Sequence, residues 1–530
     1  MSRVGMLPVV LLAALAGLAH AWSVALPWSG SSAWWLQIAS LAALCALMDS
    51  VSSKWRAATV AWGFGSAWLC GCFWWMYTSM YVYGGLPWFL AALAVMLLAS
   101  ALSLYLAIAC LGYKALSSAS PIQRATLFAS FWLLAELARG RWFTGLPWGA
   151  AGYAHIEGPL SAMAPWIGVY GIGFAAAFTA ALLASVLAML HRALRGTPAL
   201  EATVLPSLRR RVKASSELAA GLGLVVALSV GLHWADRSFT APAGRLSVSL
   251  LQGNIPQDEK FMPGSGLPLA LAWYAEQLQA ADGDLVVAPE TAIPLLVRQL
   301  PIGYWDGISK HFAQGEKAAL IGMPASRQLG RYSNAVIGLA PRQLTSYQYD
   351  KHHLVPFGEF IPPMFRWFTE MMQIPLGDFV RGPLGQAPFE WKGQRIAPNV
   401  CYEDLFGEEL AVRFNEPSRA PTMFANLSNI AWFGEGIAID QHLGISRMRA
   451  IEFERPFMRA TNTGATAIID HRGVVTHILP RATRGVLRGE VEGRTGLTPY
   501  ALWAGAFGLW PFWLLAGSVV LVAALKRRRA

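Results

Sequence analysis

The sequence predicts two architectures in one chain: an α-helical membrane domain of about eight spans and a water-soluble α/β domain of layered sheets and helices. Of the 530 residues, 55% are hydrophobic and only 14% are charged, whereas about a quarter of the residues in a soluble globular protein are charged. Most of the chain is therefore expected in a membrane. Residues 236–498 differ, because charged residues are frequent there and no apolar run approaches the length of a span.

Eight apolar stretches are close to the length of about 20 residues that a helix needs to cross a bilayer core. They are residues 5–24, 33–49, 57–78, 87–112, 122–138, 160–190, 217–234 and 500–525. The predicted domains are a membrane domain at 1–235, a soluble domain at 236–498, and a last span with a basic tail at 499–530. The first stretch also suits a cleavable signal peptide, since Arg3 precedes it and Ala-His-Ala lies at 19–21. The spans that follow at once favour a retained helix.

Lysine and arginine are concentrated in every second loop, and this distribution predicts how the chain is oriented in the membrane. If the N-terminus is cytoplasmic, the inside loops are basic and the outside loops at 22–32 and 79–86 contain neither residue. The inside residues include Lys54, Arg56, Lys114, Arg124, Arg192, Arg195, Arg209, Arg210, Arg211, Lys213 and the tail Lys-Arg-Arg-Arg. This pattern places the soluble domain outside the cytoplasm. Topology and contact with anionic lipid explain the net charge of +11, so no nucleic-acid partner is expected.

The soluble stretch alternates strand-like and helix-like patterns, which predicts an α/β layered domain. The predicted strands lie at 245–254, 283–290, 318–326, 332–341, 344–351, 394–403, 421–429 and 464–473. Helical patterns cover 269–282 and 444–461. No internal repeat and no low-complexity linker interrupts them.

One cysteine, Cys401, stands alone in the soluble domain, while the other four lie in or beside apolar segments (Cys45, Cys70, Cys72 and Cys110). Outside the cytoplasm thiols tend to form disulfides, so an unpaired cysteine there is either a buried structural residue or a functional thiol. Its segment, Arg-Ile-Ala-Pro-Asn-Val-Cys-Tyr-Glu-Asp, predicts a strand that ends at Cys401 and a helix that Asp404 caps. Such a turn lies at the carboxyl edge of a sheet, where open α/β folds bind ligands.

Two more chemical groups are expected at that edge. Glu290 follows the strand Asp-Leu-Val-Val-Ala-Pro, and Lys351 follows Thr-Ser-Tyr-Gln-Tyr-Asp. Glutamate and lysine usually occupy surfaces, so neither is informative alone. Together with a thiol they form a complete set for acyl transfer, because a carboxylate can take the thiol proton and an ammonium can stabilise the thiolate and then an oxyanion.

These residues carry a resemblance to the carbon–nitrogen hydrolase (nitrilase) superfamily, and most closely to its membrane branch, the apolipoprotein N-acyltransferase family of Gram-negative bacteria. The resemblance covers the whole soluble domain and extends to the spans through residues 144–153 and the final helix. The matching motifs are LQGNIPQDEKF (251–261), VVAPETAIP (286–294), YSNAVIGL (332–339), YDKHHLVPFGEFIP (349–362), NVCYEDLFG (399–407), NLSNIAWFG (426–434), QHLGISRMRAIEFERPFMRATNTG (441–464) and IIDHRG (468–473). It implies a nitrilase-like α-β-β-α arrangement for the soluble domain.

The resemblance also implies roles for individual residues. Cys401 is similar to the nucleophile, Glu290 to the general base and Lys351 to the lysine that stabilises the oxyanion. Glu359 resembles a further carboxylate that orients Lys351. Tyr402 would supply an oxyanion donor from its backbone N–H, and Glu403 would brace the turn that carries the nucleophile.

Two residues depart from the family pattern. Phe261 stands where the family usually has tryptophan, and Ile430 stands where it usually has aspartate. Phe261, Phe357 and Trp148, the last in an outside loop, are predicted to bind substrate. The apolar segment 360–380, rich in Phe, Met, Ile and Pro, is predicted to be a mobile lid or a lipid contact, with ordinary packing as the alternative.

The implied reaction moves an acyl chain from a membrane phospholipid, with phosphatidylethanolamine as the family's donor, to a diacylated apolipoprotein at the periplasmic side of the inner membrane. No cofactor is expected, because a phospholipid ester is already activated. No metal is expected either, since the adjacent His352 and His353 point to different sides of a strand and no zinc-type spacing lies nearby. No phosphate-cradling glycine motif indicates a nucleotide.

Two alternatives remain. A membrane-tethered amidase would use the same three groups but admit water as the second nucleophile. A transporter or scaffold would carry a degenerate hydrolase domain. Transport paths usually need several ionisable residues within the spans, and Glu136 is the clearest of the few present. The retained Glu290, Lys351 and Cys401 also speak against degeneracy.

Overall fold

The structure, a computed structural model, describes residues 5–118, 120–194, 204–235, 238–328, 330–342, 346–361 and 379–529. These residues form two compact units. The first contains the described parts of Met1–Trp74, Trp88–Arg237 and Leu509–Ala530, and the second those of Trp75–Pro87 and Ser238–Gly508. Within the described residues, the first unit consists of helices and connecting turns, and the second holds the strands.

The helices are numbered in chain order, and α4 and α9–α13 belong to the second unit. They are α1 Met6–Val24, α2 Trp34–Ser50, α3 Lys54–Phe73, α4 Trp75–Thr78, α5 Trp88–Leu116, α6 Pro121–Arg141, α7 Ala164–Leu194, α8 Val204–Trp234, α9 Gly266–Ala280, α10 Tyr304–Gln314, α11 Gly407–Ala411, α12 Ala438–Phe453, α13 Pro499–Phe507 and α14 Trp510–Arg529.

In the described part of the chain, five helices are long and apolar enough to cross a membrane: α1, α5, α7 with the turn before it, the Val212–Trp234 part of α8, and α14. Helix α2 is apolar but shorter, and α3 and α6 fall outside this set. All eight predicted spans lie on helices, so the helical prediction is confirmed, while the number of spans is approximate.

The final span begins later than the sequence predicts. Helix α13 ends at Phe507, and Gly508 takes a backbone φ of 55° before α14 begins at Trp510. Glycine adopts positive φ without the steric penalty that a Cβ brings. The apolar pattern at 500–525 therefore covers two helices, and only α14 has the length of a span.

The second unit contains two six-stranded mixed sheets. Sheet I has the strand order β12-β1-β2-β3-β4-β5, and sheet II has the order β11-β10-β9-β8-β7-β6. The strands are β1 Thr240–Gln252, β2 Leu285–Ala288, β3 Ala318–Gln328, β4 Arg331–Leu339, β5 Tyr347–Asp350, β6 Phe389–Trp391, β7 Gln394–Val400, β8 Met423–Ser428, β9 Phe457–Thr461, β10 Ala467–Ile469, β11 Val475–Ile478 and β12 Gly485–Gly496.

The sheets stack face to face, with helices covering their outer faces. Val287 of sheet I and Leu427 of sheet II share one buried core between the sheets. Val286, whose side chain points the opposite way because strand residues alternate, packs in a second core with α9 and α10. Phe424 packs with Phe453 in a third core, between sheet II and helices α11, α12 and α13. The α-β-β-α arrangement is therefore confirmed.

All eight predicted strands are present with shifted ends, but the helix predicted over 444–461 is wrong in its second half. Helix α12 ends at Phe453, Glu454 adopts φ 45°, and residues 457–461 form β9. The reason is Pro456, which lacks an N–H and disfavours helical conformation in the residue before it. The chain therefore turns and inserts β9 into sheet II.

The strand directions bring several carboxyl ends to one edge of the sheets. Strands β2 and β3 are parallel, and β5 runs the same way because each of the steps β3–β4 and β4–β5 is antiparallel. In sheet II, β7 and β8 are parallel. Glu290 follows β2, Lys351 follows β5 and Cys401 follows β7, so the topology places each of them just past a strand end.

Candidate active site

A buried lysine lies between two carboxylates at this edge. The Lys351 side chain is fully buried, and its Nζ lies 2.9 Å from Glu359 Oε1 and 3.5 Å from Glu290 Oε1. Burying one ammonium beside two carboxylates is tolerable only where the charges are paired and hydrogen-bonded. The structure thus brings together four of the residues that the sequence singles out: Lys351, Glu290, Glu359 and Cys401, on whose thiol these charges act.

Asn334 joins the two carboxylates. Its Nδ2 donates to Glu290 Oε1 and to Glu359 Oε1, each at 2.7 Å, from within strand β4. Asn334 lies within the motif YSNAVIGL, but its role is not predicted from the sequence. The available signal was an amide in an otherwise buried strand, because buried polar groups require partners.

Cys401 lies on a sharp turn directly after β7. Its backbone φ is 55°, a conformation that is uncommon for any residue with a Cβ, and a short 3-10 helix, Cys401–Leu405, begins there. The predicted strand-to-helix turn is therefore present. The predicted capping role of Asp404 is wrong, because its carboxylate is fully buried and bonds to His442 and Ser446.

The electrostatics keep the Cys401 thiol protonated at rest. Burial and the Glu290 carboxylate raise the pKa of Cys401 to about 12, although Lys351 opposes the shift. Burial alone would lower the pKa of Lys351, but Glu359 and Glu290 raise it well above its usual value. At neutral pH the site therefore holds a thiol beside a permanent ammonium, and a nucleophilic thiolate requires a base during attack.

Glu403 connects the segment that carries Lys351 to the segment that carries Cys401. Its carboxylate accepts hydrogen bonds from the Tyr349 hydroxyl at 2.9 Å, from the His352 N–H at 2.7 Å and from the Val400 N–H at 2.6 Å. Burial raises the pKa of Glu403, while Lys351 and the Val400 N–H oppose the shift. This geometry fits the predicted brace.

Tyr402 lies on the other side of the lysine. Its hydroxyl donates to the Leu354 carbonyl at 2.7 Å, and Lys351 Nζ lies 5.6 Å from the centre of its ring. An ammonium over an aromatic face is attracted by the ring quadrupole. The side chain therefore helps to hold Lys351, while the backbone N–H remains available for the predicted donor role.

Lys260 is a buried lysine whose role the sequence does not predict. Its Nζ donates to Thr291 Oγ1 at 2.9 Å and to the Glu290 carbonyl at 3.3 Å. Burial lowers the pKa of Lys260 to about 8, although Glu290 opposes the shift. It fixes the loop after β2. Its place next to Phe261 in Gln-Asp-Glu-Lys-Phe was the only local signal.

The residues predicted to bind substrate differ in exposure. Phe261 and Phe357 are 53% and 38% exposed, whereas Trp148 is 3% exposed and has little surface for a ligand. Ile430, the second departure from the family pattern, is 1% exposed. The predicted lid falls mainly on residues 362–378, which lie outside the described residues, so it stays a prediction.

The histidine pair after Lys351 is engaged elsewhere. His352 Nδ1 lies 2.8 Å from the Gly382 carbonyl, and His353 Nδ1 lies 3.1 Å from Glu409 while its ring stacks on Phe406. Among the described residues, no group of three or more His, Cys, Asp or Glu side chains is arranged to hold a metal ion.

Comparison with known proteins identifies the family. The family model described as the apolipoprotein N-acyltransferase N-terminal domain matches residues 7–182, and the carbon-nitrogen hydrolase model matches residues 247–500. An apolipoprotein N-acyltransferase from Verminephrobacter eiseniae (strain EF01-2) is 53% identical over 513 residues, which cover 94% of this chain and 92% of the relative. The chain belongs to the apolipoprotein N-acyltransferase family.

Further relatives agree across the whole length. An apolipoprotein N-acyltransferase from Ralstonia nicotianae (strain ATCC BAA-1114 / GMI1000) is 42% identical and covers 98% of this chain and 93% of its own length. One from Bordetella bronchiseptica (strain ATCC BAA-588 / NCTC 13252 / RB50) is 39% identical, with 98% and 97% covered. Membership confirms the resemblance drawn from the motifs, and the protein is an acyltransferase with a nitrilase-like domain and a membrane part.

Proposed function

We propose that this member of the apolipoprotein N-acyltransferase family transfers one acyl chain from a membrane phospholipid to the α-amine of the N-terminal diacylglyceryl-cysteine of apolipoproteins, the last step of their maturation. The arrangement of Lys351 between Glu290 and Glu359, beside the thiol of Cys401, is the observation that supports it most. A base, a cation and a nucleophile that meet in a buried site are what covalent acyl transfer requires.

In the first half-reaction Glu290 takes the proton from Cys401 as the sulfur attacks the ester carbonyl of the phospholipid. The carbonyl oxygen becomes an oxyanion, which the Lys351 ammonium and the Tyr402 N–H stabilise. The C–O bond of the ester then breaks. The leaving alkoxide takes the proton back from Glu290 and departs as lysophospholipid, and a thioester remains on Cys401.

In the second half-reaction the amine of the acceptor attacks the thioester carbonyl, and Glu290 takes its proton. The C–S bond breaks, an amide forms, and the proton passes from Glu290 to the departing thiolate. Glu359 and Asn334 orient Lys351 and Glu290 through both steps, and Glu403 holds the two chain segments together. Because the lysophospholipid leaves before the acceptor reacts, the kinetics should be ping-pong.

Phosphatidylethanolamine is the proposed donor, on the basis of the family. The exposed rings of Phe261 and Phe357 are the proposed contacts for its acyl chains, because exposed aromatic groups can interact with lipid. Trp148 stays the weakest of the proposed substrate contacts, since it is buried.

The test uses purified protein in detergent micelles with phosphatidylethanolamine labelled in its acyl chains. An acyltransferase should form a hydroxylamine-sensitive label on Cys401 and pass it to a synthetic diacylated lipopeptide with a free amine. The amidase alternative predicts free fatty acid at the same rate with and without lipopeptide. Absence of any label on Cys401 would refute both.

We propose the bacterial inner membrane as the location, with the catalytic unit on the periplasmic side. The distribution of basic residues along the sequence supports this orientation. A reporter that is active only in the cytoplasm should give signal when fused after Arg211 and none when fused near Gly330. Signal from the Gly330 fusion would reverse the proposed orientation.

A further inference from the structure

A buried polar network lies beside the turn that carries Cys401, and the proposed chemistry does not use it. Asp404, His442, Ser446 and Arg459 are each at most 1% exposed. The Ser446 hydroxyl donates to Asp404 Oδ2, and Arg459 Nη1 lies 3.4 Å from the same oxygen. The Asp404 and Arg459 charges thus offset each other, and helix α12 supplies His442 and Ser446.

The network sets the protonation of His442. Arg459 Nη2 lies 3.2 Å from His442 Nδ1, and a guanidinium can only donate, so Nδ1 must be the acceptor and the proton must sit on Nε2. Burial lowers the pKa of His442, although Asp404 opposes the shift. The ring is therefore neutral, with its single N–H on the nitrogen that faces Cys401 and Asp404.

That N–H and a second donor hold one carbonyl group. His442 Nε2 lies 3.3 Å from the Cys401 carbonyl oxygen and 3.1 Å from Asp404 Oδ1, and Asn426 Nδ2 donates to the same carbonyl at 2.8 Å. The Cys401 C=O and the Tyr402 N–H belong to one planar trans peptide unit and point in opposite directions. Fixing the carbonyl therefore fixes the direction of the N–H.

Among the described residues, the Tyr402 N–H donates to no backbone carbonyl outside its own 3-10 helix, and an N–H in the first turn of a helix has no acceptor within that helix. We propose that His442 is a positioning residue for this N–H: together with Asn426 it holds the Cys401–Tyr402 peptide so that the Tyr402 N–H points at the oxyanion. Donation to the carbonyl also polarises the peptide and strengthens the N–H as a donor. The inference rests on the proposed function, since an oxyanion forms only when Cys401 attacks an acyl carbonyl.

The test compares two reactions of the same thiol. An activated short-chain ester acylates Cys401 through a tetrahedral oxyanion, whereas iodoacetamide alkylates it by displacement of iodide and forms none. His442→Leu should slow acylation at saturating ester roughly ten- to hundredfold, somewhat less than complete loss of an oxyanion donor. Alkylation should stay within about twofold, because the thiol and its base are untouched. Both products are quantified by mass spectrometry of the peptide that contains Cys401.

Three further variants make the result specific. His442→Gln keeps an N–H near the carbonyl and should recover most of the acylation rate. Asn426→Ala, which removes the other donor, should repeat the selective loss and replaces His442→Leu if that variant does not fold. Glu452→Gln disturbs a different buried ion pair of helix α12, 2.6 Å from Arg449, and should leave the ratio of the two reactions unchanged.

Equal losses in acylation and alkylation, or wild-type acylation in His442→Leu, would overturn the proposal. A shift in the reaction ratio of Glu452→Gln would do the same, because it would trace the effect to general packing of the helix. If wild-type protein reacts with the short ester but never with phospholipid, the proposed function fails, and the comparison of His442 variants can still be measured.

Discussion

Replacing Cys401 with alanine is expected to abolish both the acyl adduct and transfer to a lipopeptide amine. In the proposed mechanism the sulfur forms the bond to the acyl group in the first half-reaction, and the described site offers no second cysteine at the same turn. Removal of a catalytic nucleophile costs on the order of 10⁶-fold in rate where the residue acts as part of a unit. The measurement is the hydroxylamine-sensitive label after incubation with labelled phosphatidylethanolamine.

The matched control is Cys70→Ala, which removes a partly exposed thiol from the membrane unit and should leave labelling intact. Thermal unfolding of Cys401→Ala should match that of wild-type protein, since alanine tolerates the turn about as well as cysteine. A label that survives in Cys401→Ala, or continued acylation of the lipopeptide, would show that the reaction does not pass through this thiol.

Replacing Lys351 with methionine is expected to have the second largest effect. Methionine fills a similar volume but removes the charge that offsets Glu290 and Glu359 and that would stabilise the oxyanion. Loss of that stabilisation costs about 10³-fold in the rate of adduct formation. Breaking a buried ion pair also destabilises a fold by about 3–5 kcal/mol. Labelling kinetics and denaturant unfolding measure the two effects separately.

The stability loss in Lys351→Met should depend on pH. Two buried carboxylates that share Asn334 without a cation favour uptake of a proton, so the deficit should shrink as the pH falls and grow as it rises. Adding Glu359→Gln should restore much of the stability and none of the activity. Lys317→Met, which removes a lysine that donates to the Ala281 carbonyl, is the control. Full activity in Lys351→Met would remove the lysine from the mechanism.

The positions of Glu290, Lys351 and Cys401 can be predicted from the sequence, because each of them directly follows a recognisable strand pattern. Glu290, Lys351 and Cys401 each stand within two residues of the end of a described strand, and a run of buried strand residues followed by a polar one is a local pattern. Parallel strand ends share an edge, so three local patterns predict one site. Their chemical roles remain proposals that the variants above test.

The partners of these residues could not be found in the same way. Asn334 is 44 residues from Glu290 in the chain, and His442 is 41 residues from Cys401. Asn334 and His442 are both buried, and a buried polar group requires a partner, but the sequence does not say which residue the partner is. The helical assignment of 457–461 is wrong for a different reason, because the helical pattern of the residues before Pro456 obscures the local break that this proline causes.

The two stacked sheets contribute different parts of the candidate site. Glu290 and Lys351 follow strands of sheet I, Cys401 follows a strand of sheet II, and side chains such as Val287 and Leu427 fill the space between. Protein interiors are close-packed and transmit strain. The apolar side chains between the sheets therefore set the distance between Glu290 and the sulfur of Cys401. Truncating core side chains far from the thiol should change the spacing of the two sheets. The rate of acyl transfer should then fall while lipid binding is retained. If Glu290 is the base for Cys401, as proposed, the rate of this protein should then depend on the volume of the buried core as well as on the polar residues.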